Sequence, residues 1–175
     1  MPFTPESLSV PPSSCDLAAL HALLRDAVES GASIGFTLPL TDPEISAYWA
    51  EVLSAVADGP RVLLVTRDDT HRIVGSVQLE LAQRSNSRHR CELQKLLVLR
   101  SHRGRRLGFT LMQAAEHAAR AAHRTLIVLD TSASGNALNL YDRCGYTHAG
   151  VIPRYATDPD GTFIDTVLYY TELTL

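Results

Sequence analysis

Cysteine is scarce in this chain: Cys15, Cys91 and Cys144 are odd in number, far apart, and show neither a CxxC nor a paired Cys/His spacing. That excludes a disulfide scaffold and a zinc ribbon, and the thiols are expected to be reduced. The seven histidines form no HExxH or comparable pair, so no metal is expected. No apolar run approaches the roughly 18 residues of a membrane span. The start, Met1 to Val10, lacks the basic and apolar regions of a signal peptide, so the cytoplasm is the expected compartment and no membrane partner is expected. An excess of positive charge is also missing, since 16 Lys and Arg face 19 Asp and Glu for a net charge of −3. Ordinary apolar and charged fractions argue against disorder and against a generally cationic nucleic-acid binder. Repeats, low-complexity tracts and linkers are absent too, which leaves one domain over residues 1–175, long enough to bury roughly two-thirds of its unfolded surface.

What is present is a clear succession of periodic segments. Leu17, Leu20, Leu24 and Val28 recur at helical steps, with Ser13, Ser14 or Asp16 as N-cap and Gly31 as stop. After an irregular stretch to Leu40, Asp42-Pro43-Glu44 supplies a cap, a proline at the first helical position and an acid in the first turn. That second helix runs to about Ala57, buries Ile45, Trp49, Val52, Leu53 and Val56, and ends at Gly59-Pro60. Val62 to Thr66, a turn at Asp68 to His71, and Ile73 to Leu81 predict an antiparallel hairpin. A polar segment leads to a strand from Cys91 to Leu99, whose end Leu96-Leu97-Val98-Leu99 is apolar on both faces and belongs in mid-sheet. A basic loop, a helix from about Leu107 to Ala122 and a strand from Thr125 to Leu129 make a βαβ unit with parallel strands. A short helix from Asn136 to Cys144, a strand from Tyr146 to Ile152, a loop from Pro153 to Gly161 and a strand from Phe163 to Leu173 complete the chain. The class is α/β with a mixed, mostly antiparallel sheet, a central parallel βαβ unit and flanking helices.

The loop from Val98 to Gly108 joins a buried strand to a helix and carries Arg100, Arg103, Arg105 and Arg106. A helix N-terminus has unpaired N–H groups and about half a positive charge, and glycine lets backbone approach a pyrophosphate. The loop therefore reads as an anion site for a phosphorylated ligand. A solvated basic turn is the plainer alternative. Neither GxxxxGK[ST] nor GxGxxG is present, so it is not a P-loop or a dinucleotide fingerprint.

Arg103-Gly104-Arg105-Arg106-Leu107-Gly108 resembles the acetyl-CoA loop of the GNAT superfamily, Q/R-x-x-G-x-G/A, which also extends to Phe109 here. Leu140-Tyr141-Asp-Arg-Cys-Gly-Tyr146 is similar to that superfamily's second hallmark, LYxxxGF. Glu92-Leu-Gln-Lys-Leu-Leu-Val98, Leu129-Asp-Thr131, Pro153 to Gly161 and Gly31 to Phe36 resemble the tabtoxin-resistance acetyltransferases, so the likeness covers nearly the whole chain. It implies a single-domain GNAT fold, acetyl-CoA as co-substrate, no metal, and direct transfer of acetyl to a primary amine of a small molecule in a ternary complex. An amino-acid-like toxin or antibiotic fits that description, and the protein is expected as a monomer or homodimer. Arg106 stands where the family usually has glycine. Within a helix first turn φ is negative, so its N–H is expected to remain usable and its side chain to point outward, toward a CoA phosphate. Arg154 stands where the narrower family often has a small residue, so an identical substrate choice does not follow from the resemblance.

An alkylamine is almost wholly protonated at neutral pH, so a carboxylate beside the acceptor is wanted. Asp130 is the first candidate, at the C-terminal end of a strand where ligand crevices form in α/β sheets; a plain turn cap through Thr131 or Ser132 is the alternative. Glu92 is the second, or else an exposed strand residue. The resemblance places Tyr141 beside the sulfur as donor to the departing thiolate, and the backbone of Leu96, Leu97 and Val98 against the acetyl carbonyl and pantetheine. Ser134 sits where many members carry a CoA-contacting asparagine, with Asn136 near enough to substitute. Phe36, Tyr48 and Trp49 are candidates for an acceptor pocket wall, and Asp158 and Asp160 for meeting its charge. Cys91 and Cys144 lack a positioned histidine and are set aside as nucleophiles. Two other functions compete: a CoA-binding sensor without turnover, and a nucleic-acid binder using Arg84 to Arg90 with Arg100 to Arg106. The second is opposed by the acidic balance and the lack of interleaved aromatics.

Overall fold

The structure, a computed structural model, describes residues 3–135 and 137–174. The first helix, α1 (Ser14–Glu29), is capped by Ser13, whose hydroxyl accepts from the Asp16 amide at 3.1 Å. The second, α2 (Asp42–Asp58), is capped by Thr41 and not within Asp42-Pro43-Glu44 as expected. Thr41 and Glu44 form a reciprocal capping box, in which Glu44 Oε2 accepts from the Thr41 amide at 2.9 Å. A hydroxyl followed three residues later by glutamate outcompetes Asp42 because it satisfies orphan donors at both ends of the box.

Seven strands form one sheet among the described residues. They are β1 (Glu6–Ser7), β2 (Arg61–Arg67), β3 (Ile73–Leu81), β4 (Arg90–Val98), β5 (Leu126–Ser132), β6 (Thr147–Thr157) and β7 (Phe163–Glu172), in the order β1-β2-β3-β4-β5-β7-β6. Only β4 and β5 pair in parallel, as a crossover through α3 (Leu107–Ala121) requires. The short β1 was not anticipated; Arg67 on β2 pins it by donating to Glu6 at 2.6 Å. The last two strands also differ from expectation. β6 continues through Pro153 to Thr157, so the expected loop from Pro153 shrinks to a turn at the head of a hairpin. A proline is tolerated there because β6 is an edge strand, and the register breaks between Ile152 and Ala156.

Alternation along β2 divides the core in two. Leu64 packs with Val77, Leu79, Cys91, Leu111 and Met112 beneath α3. Leu63 and Val65 pack on the opposite face with Leu20, Leu24, Ile45 and Trp49 of α1 and α2. The register of β3 on β4 then slips: Gln78 faces Gln94, but Ser76 faces Leu97, so β4 holds one extra residue. Lys95 lies in that bulge with φ +49°. The bulge inverts the alternation, so Cys91 and Leu93 belong to the first core and Leu97, of the same parity, to the second.

Beyond Glu92, paired with Val128, β4 and β5 no longer pair. β4 stays bonded to β3 and β5 to β7, so the sheet splays between them. For this reason the expected mid-sheet burial of Leu96 to Leu99 holds fully only for Leu97, while Leu96, Val98 and Leu99 remain half-buried. Among the described residues no helix is long and apolar enough to cross a membrane. Replacing Thr41 with alanine is expected to destabilise the protein by about 1 kcal/mol, read as a lower urea midpoint at unchanged m-value. An unchanged midpoint would mean that solvent serves the helix start equally well.

Candidate active site

The splay opens a cleft of about 1120 Å³. One wall is the free edge of β4, with Glu92 and Leu96 to Val98; the other is Asp130, Thr131 and Ser132 of β5. β5 runs to Ser132, so Asp130 is a strand residue paired with Leu168 and not the cap of a turn. Among the described residues no side chain donates a hydrogen bond to its carboxylate, which is exposed to the cleft. Glu92 on the facing wall is held: its Oε1 accepts from Gln94 Nε2 at 2.8 Å. Gln94 also donates to Glu80 at 3.2 Å, and Arg61 joins Glu80 at 2.8 Å to buried Gln78 at 2.9 Å. Gln78 in turn donates to the Tyr48 hydroxyl at 2.8 Å, so a polar chain runs from α2 to the cleft wall.

The helix α4 (Leu138–Arg143) presents Tyr141 to the same cleft from below. Its ring packs against Tyr169, with centroids 5.6 Å apart. Burial, reinforced by the charge of Asp130, pushes its phenol up to about 12, so the hydroxyl keeps its proton at neutral pH. The thiols do not compete as nucleophiles. Burial raises Cys91 to about 11, and burial with Glu116 nearby raises Cys144 to about 11.

At the other end of the cleft α3 begins without a side-chain cap, which leaves its first-turn amides open to an anion. Arg103, Gly104, Arg106, Leu107, Gly108 and Phe109 all line this end, whereas Arg105 does not. Gly108 is needed for close approach, since a Cβ there would meet Leu140 Cδ2 at 3.0 Å. Arg103 is not a free cation: it turns back to donate to Val98 O and Ser30 Oγ, each at 3.1 Å. Arg100 likewise belongs to Asp26, through its guanidinium at 2.7 Å and its amide at 2.9 Å. Those bonds outweigh the burial of Asp26 and hold its carboxyl below the usual range. Arg106 corrects an expectation. It is the residue before the helix, not within its first turn, and sits at φ +63°, ψ 9°. The left-handed geometry that glycine would adopt freely is kept with arginine in place.

Ser134 lines the cleft and its hydroxyl bonds that of Ser132 at 2.9 Å; Asn136 lies outside the described residues. The proposed aromatic wall is not there. Trp49 is fully buried, and Phe36 and Tyr48 pack edge-on beside it in the second core because α2 turns its apolar stripe inward. Asp158 does line the cleft, but Asp160 is spent on the turn, accepting from the Thr162 amide at 2.9 Å. The roof is instead the α1–α2 connection docked on the β6–β7 hairpin, with Ser33 donating to Thr157 O at 3.1 Å and Leu38 to Pro159 O at 2.9 Å. Ser33, Ile34, Gly35 and Tyr155 on this roof lie in the Gly31 to Phe36 and Pro153 to Gly161 segments that carry the resemblance, but were not singled out, because only the fold brings the two segments together. Lys95 was also missed, although it is the only lysine among the 16 basic side chains. A second hollow of about 530 Å³ shares Glu92, Asp130 and Tyr155 with the main cleft. Among the described residues no group of three or more His, Cys, Asp or Glu is gathered as metal ligands would be.

The model of the acetyltransferase (GNAT) family matches residues 19–146, most of the chain and both ends of this cleft. The chain belongs to the acetyltransferase (GNAT) family. Solved structures agree in fold. An N-acetyltransferase from Staphylococcus aureus Mu50 superposes with a TM-score of 0.81 at 19% identity, covering 99% of this chain and 100% of that one. A ribosomal-protein-alanine N-acetyltransferase from Brucella melitensis gives 0.79 at 24% identity, covering 97% and 99%. A phosphinothricin acetyltransferase from Sinorhizobium meliloti, in complex with AcCoA, gives 0.80 at 15% identity, covering 99% and 89%.

Within this GNAT chain, Arg106→Gly is expected to raise stability by on the order of 0.5 kcal/mol. Relief of the left-handed strain exceeds the added entropy of the unfolded glycine. A urea titration in which the variant unfolds earlier than the parent would overturn this.

Proposed function

We propose that the chain transfers the acetyl group of acetyl-CoA to a primary amine of a small molecule, directly and within a ternary complex. The observation that carries this reading is the continuity of one cleft. It joins an uncapped helix N-terminus, an unpaired strand edge, a neutral buried phenol and two facing carboxylates. Acetyl-CoA would supply an activated thioester, and each part of it has a matching feature. The amides at the start of α3, with Arg106 beside them, suit the pyrophosphate. The free edge of β4 from Leu96 to Val98 offers amides and carbonyls to the pantetheine, which would add to the sheet as a strand does. Asp130 and Glu92, on opposite walls, attract an ammonium and take its proton. The roof of Ser33 to Gly35 and Tyr155 leaves room for the body of the acceptor, and an amino-acid-like amine fits that space.

The role of Tyr141 follows from magnitudes. Its phenol lies at about 12. A thiol near ~8.5 is the stronger acid, so complete proton transfer to the departing thiolate would be uphill by about 5 kcal/mol. Tyr141 therefore acts by donating a hydrogen bond as negative charge grows on sulfur, and the proton that finally reaches the thiolate comes from the acceptor amine. Tyr141→Phe keeps the ring and its packing, so acetyl-CoA should bind with little change while turnover falls on the order of 10²-fold. Wild-type turnover under conditions where chemistry limits the rate would leave Tyr141 a packing residue.

A screen of primary amines, with released CoA read by a thiol reagent, tests the reading as a whole. It is run beside hydrogen exchange with CoA, where protection is expected at Gly104 to Phe109. Protection without transfer to any amine would favour a CoA sensor over an enzyme. Protection confined to other segments would remove the loop from the cofactor site.

A further inference from the structure

Lys95 has no part in the reaction just described, yet it occupies a singular place. The chain carries 16 basic side chains, of which Lys95 is the only lysine. Arginine serves the close, hydrogen-bonded ion pairs between elements: Arg25 with Asp42, Arg61 with Glu80, Arg67 with Glu6 and Asp16, and Arg100 with Asp26. A guanidinium never becomes neutral in a protein, whereas an ammonium shifts readily and becomes a nucleophilic amine when it does. If a fixed positive charge were all that the cleft required, arginine would meet that need as it does elsewhere in this chain. Of the chain's lysine and arginine side chains, the one that can lose its charge and become a primary amine is the one that lines the cleft.

Its geometry points the same way. Lys95 is the residue of the β4 bulge, at φ +49°, a conformation that is costly for any side chain but glycine by about 1–2 kcal/mol. The bulge takes its side chain out of the strand alternation and sends it across the cleft, where the ammonium lies 3.8 Å from the position a Cβ on Gly35 would take. Among the described residues no carboxylate closes an ion pair with it, although Asp130 and Glu92 are its charged neighbours. Burial pulls the ammonium below the ordinary lysine value, against the attraction of Asp130 and Glu92, and Arg61 adds to the pull. A primary amine thus stands beside the carboxylate proposed to receive an external acceptor's proton.

We propose that Lys95 is an internal acetyl acceptor: with acetyl-CoA in the cleft and no external amine present, the chain acetylates Nζ of its own lysine. The inference rests on the acetyltransferase reading above. The ammonium first releases a proton to Asp130 and thence to solvent. The neutral nitrogen then bonds to the acetyl carbonyl carbon while the carbon–sulfur bond breaks, and sulfur leaves with the bonding pair as CoA thiolate. The proton shed by the acylated nitrogen converts that thiolate to the thiol. The products are N-acetyl-lysine and CoA, and no oxidant or reductant enters. An acetylated Lys95 has lost its charge between Asp130 and Glu92 and fills the acceptor half of the cleft, so the modified enzyme should be throttled.

The test is to incubate the full chain with acetyl-CoA and no amine, then measure intact mass. One acetyl group is expected, at a rate that saturates with acetyl-CoA and does not change with protein concentration, and fragmentation should place it on Lys95. Lys95→Arg should abolish it while binding CoA as the parent does, which separates loss of the amine from loss of the fold. Chain unfolded in urea should be modified at least ~10-fold more slowly, since only the fold supplies proximity. The modified protein should turn over an external amine at least ~10-fold more slowly than the unmodified one, because the acceptor site is filled. A protein that binds CoA and acetylates external amines but leaves Lys95 unmodified would overturn this inference alone. So would an adduct confined to the N-terminal amine, or one formed equally fast in urea. Failure to bind CoA at all would instead remove the reading on which the inference stands, and the inference with it.

Discussion

The cleft exists because β4 carries one residue more than β3 can match. Sheet hydrogen bonding is a ladder with a fixed repeat, so an extra residue must be expelled as a bulge, and a bulge twists and bends the strand that bears it. Here the bend carries β4 away from β5 just after Glu92 and Val128. Every later feature depends on that parting. Backbone groups of Leu96 to Val98 lose a strand partner, Leu97 changes from one core to the other, and Lys95 is turned into the gap. Buried backbone groups do not stay unpaired without cost, so an edge left open inside a fold needs either water or a ligand that hydrogen-bonds as a strand would.

The two carboxylates at the gap are not equivalent. Glu92 is tied through Gln94, Glu80, Arg61 and Gln78 to Tyr48 on α2, a chain that crosses three strands. Its outer contacts are partly exposed, and each contributes little to stability. What the chain supplies is position, since Glu92 Oε1 is held by Gln94 on the cleft wall. Asp130, lacking such bonds, is free to follow a ligand. In the proposed reaction this asymmetry suits a fixed Glu92 that attracts the ammonium from one wall and an Asp130 free to approach it and take its proton.

Much of the fold was legible because helices and strands announce themselves by local rules. The leucine spacing of α1, the hairpin of β2 and β3, and the helix after the arginine loop required nothing beyond neighbours in sequence. Three departures from expectation have physical reasons. Thr41 rather than Asp42 caps α2 because a reciprocal bond to Glu44 decides between two adequate caps. Strand β6 persists through Pro153 because an edge strand does not need that residue's missing N–H. Arg106 takes a positive φ because the loop must turn there whatever residue it is given. The Thr41–Glu44 box is local and was legible in sequence; for Pro153 and Arg106 a constraint from outside the local segment prevailed.

The candidate site divides along the same line. Sequence by itself determined the family, the arginine-rich loop with its helix start, and the presence of Tyr141, Asp130 and Glu92, because short motifs at fixed spacing encode local backbone shape and chemistry. Only the tertiary structure decided which of these meet. It turned Arg103 and Arg100 inward to hold the loop, buried Trp49 in a core, and built a roof from two loops more than a hundred residues apart in the chain, joined by Ser33 and Thr157. It also delivered the lone lysine into the cleft, through a bulge that shows itself only when two strands are laid side by side. Periodicity along one strand records which residues alternate. Where that alternation breaks is fixed by the partner strand, and the break is what makes this site.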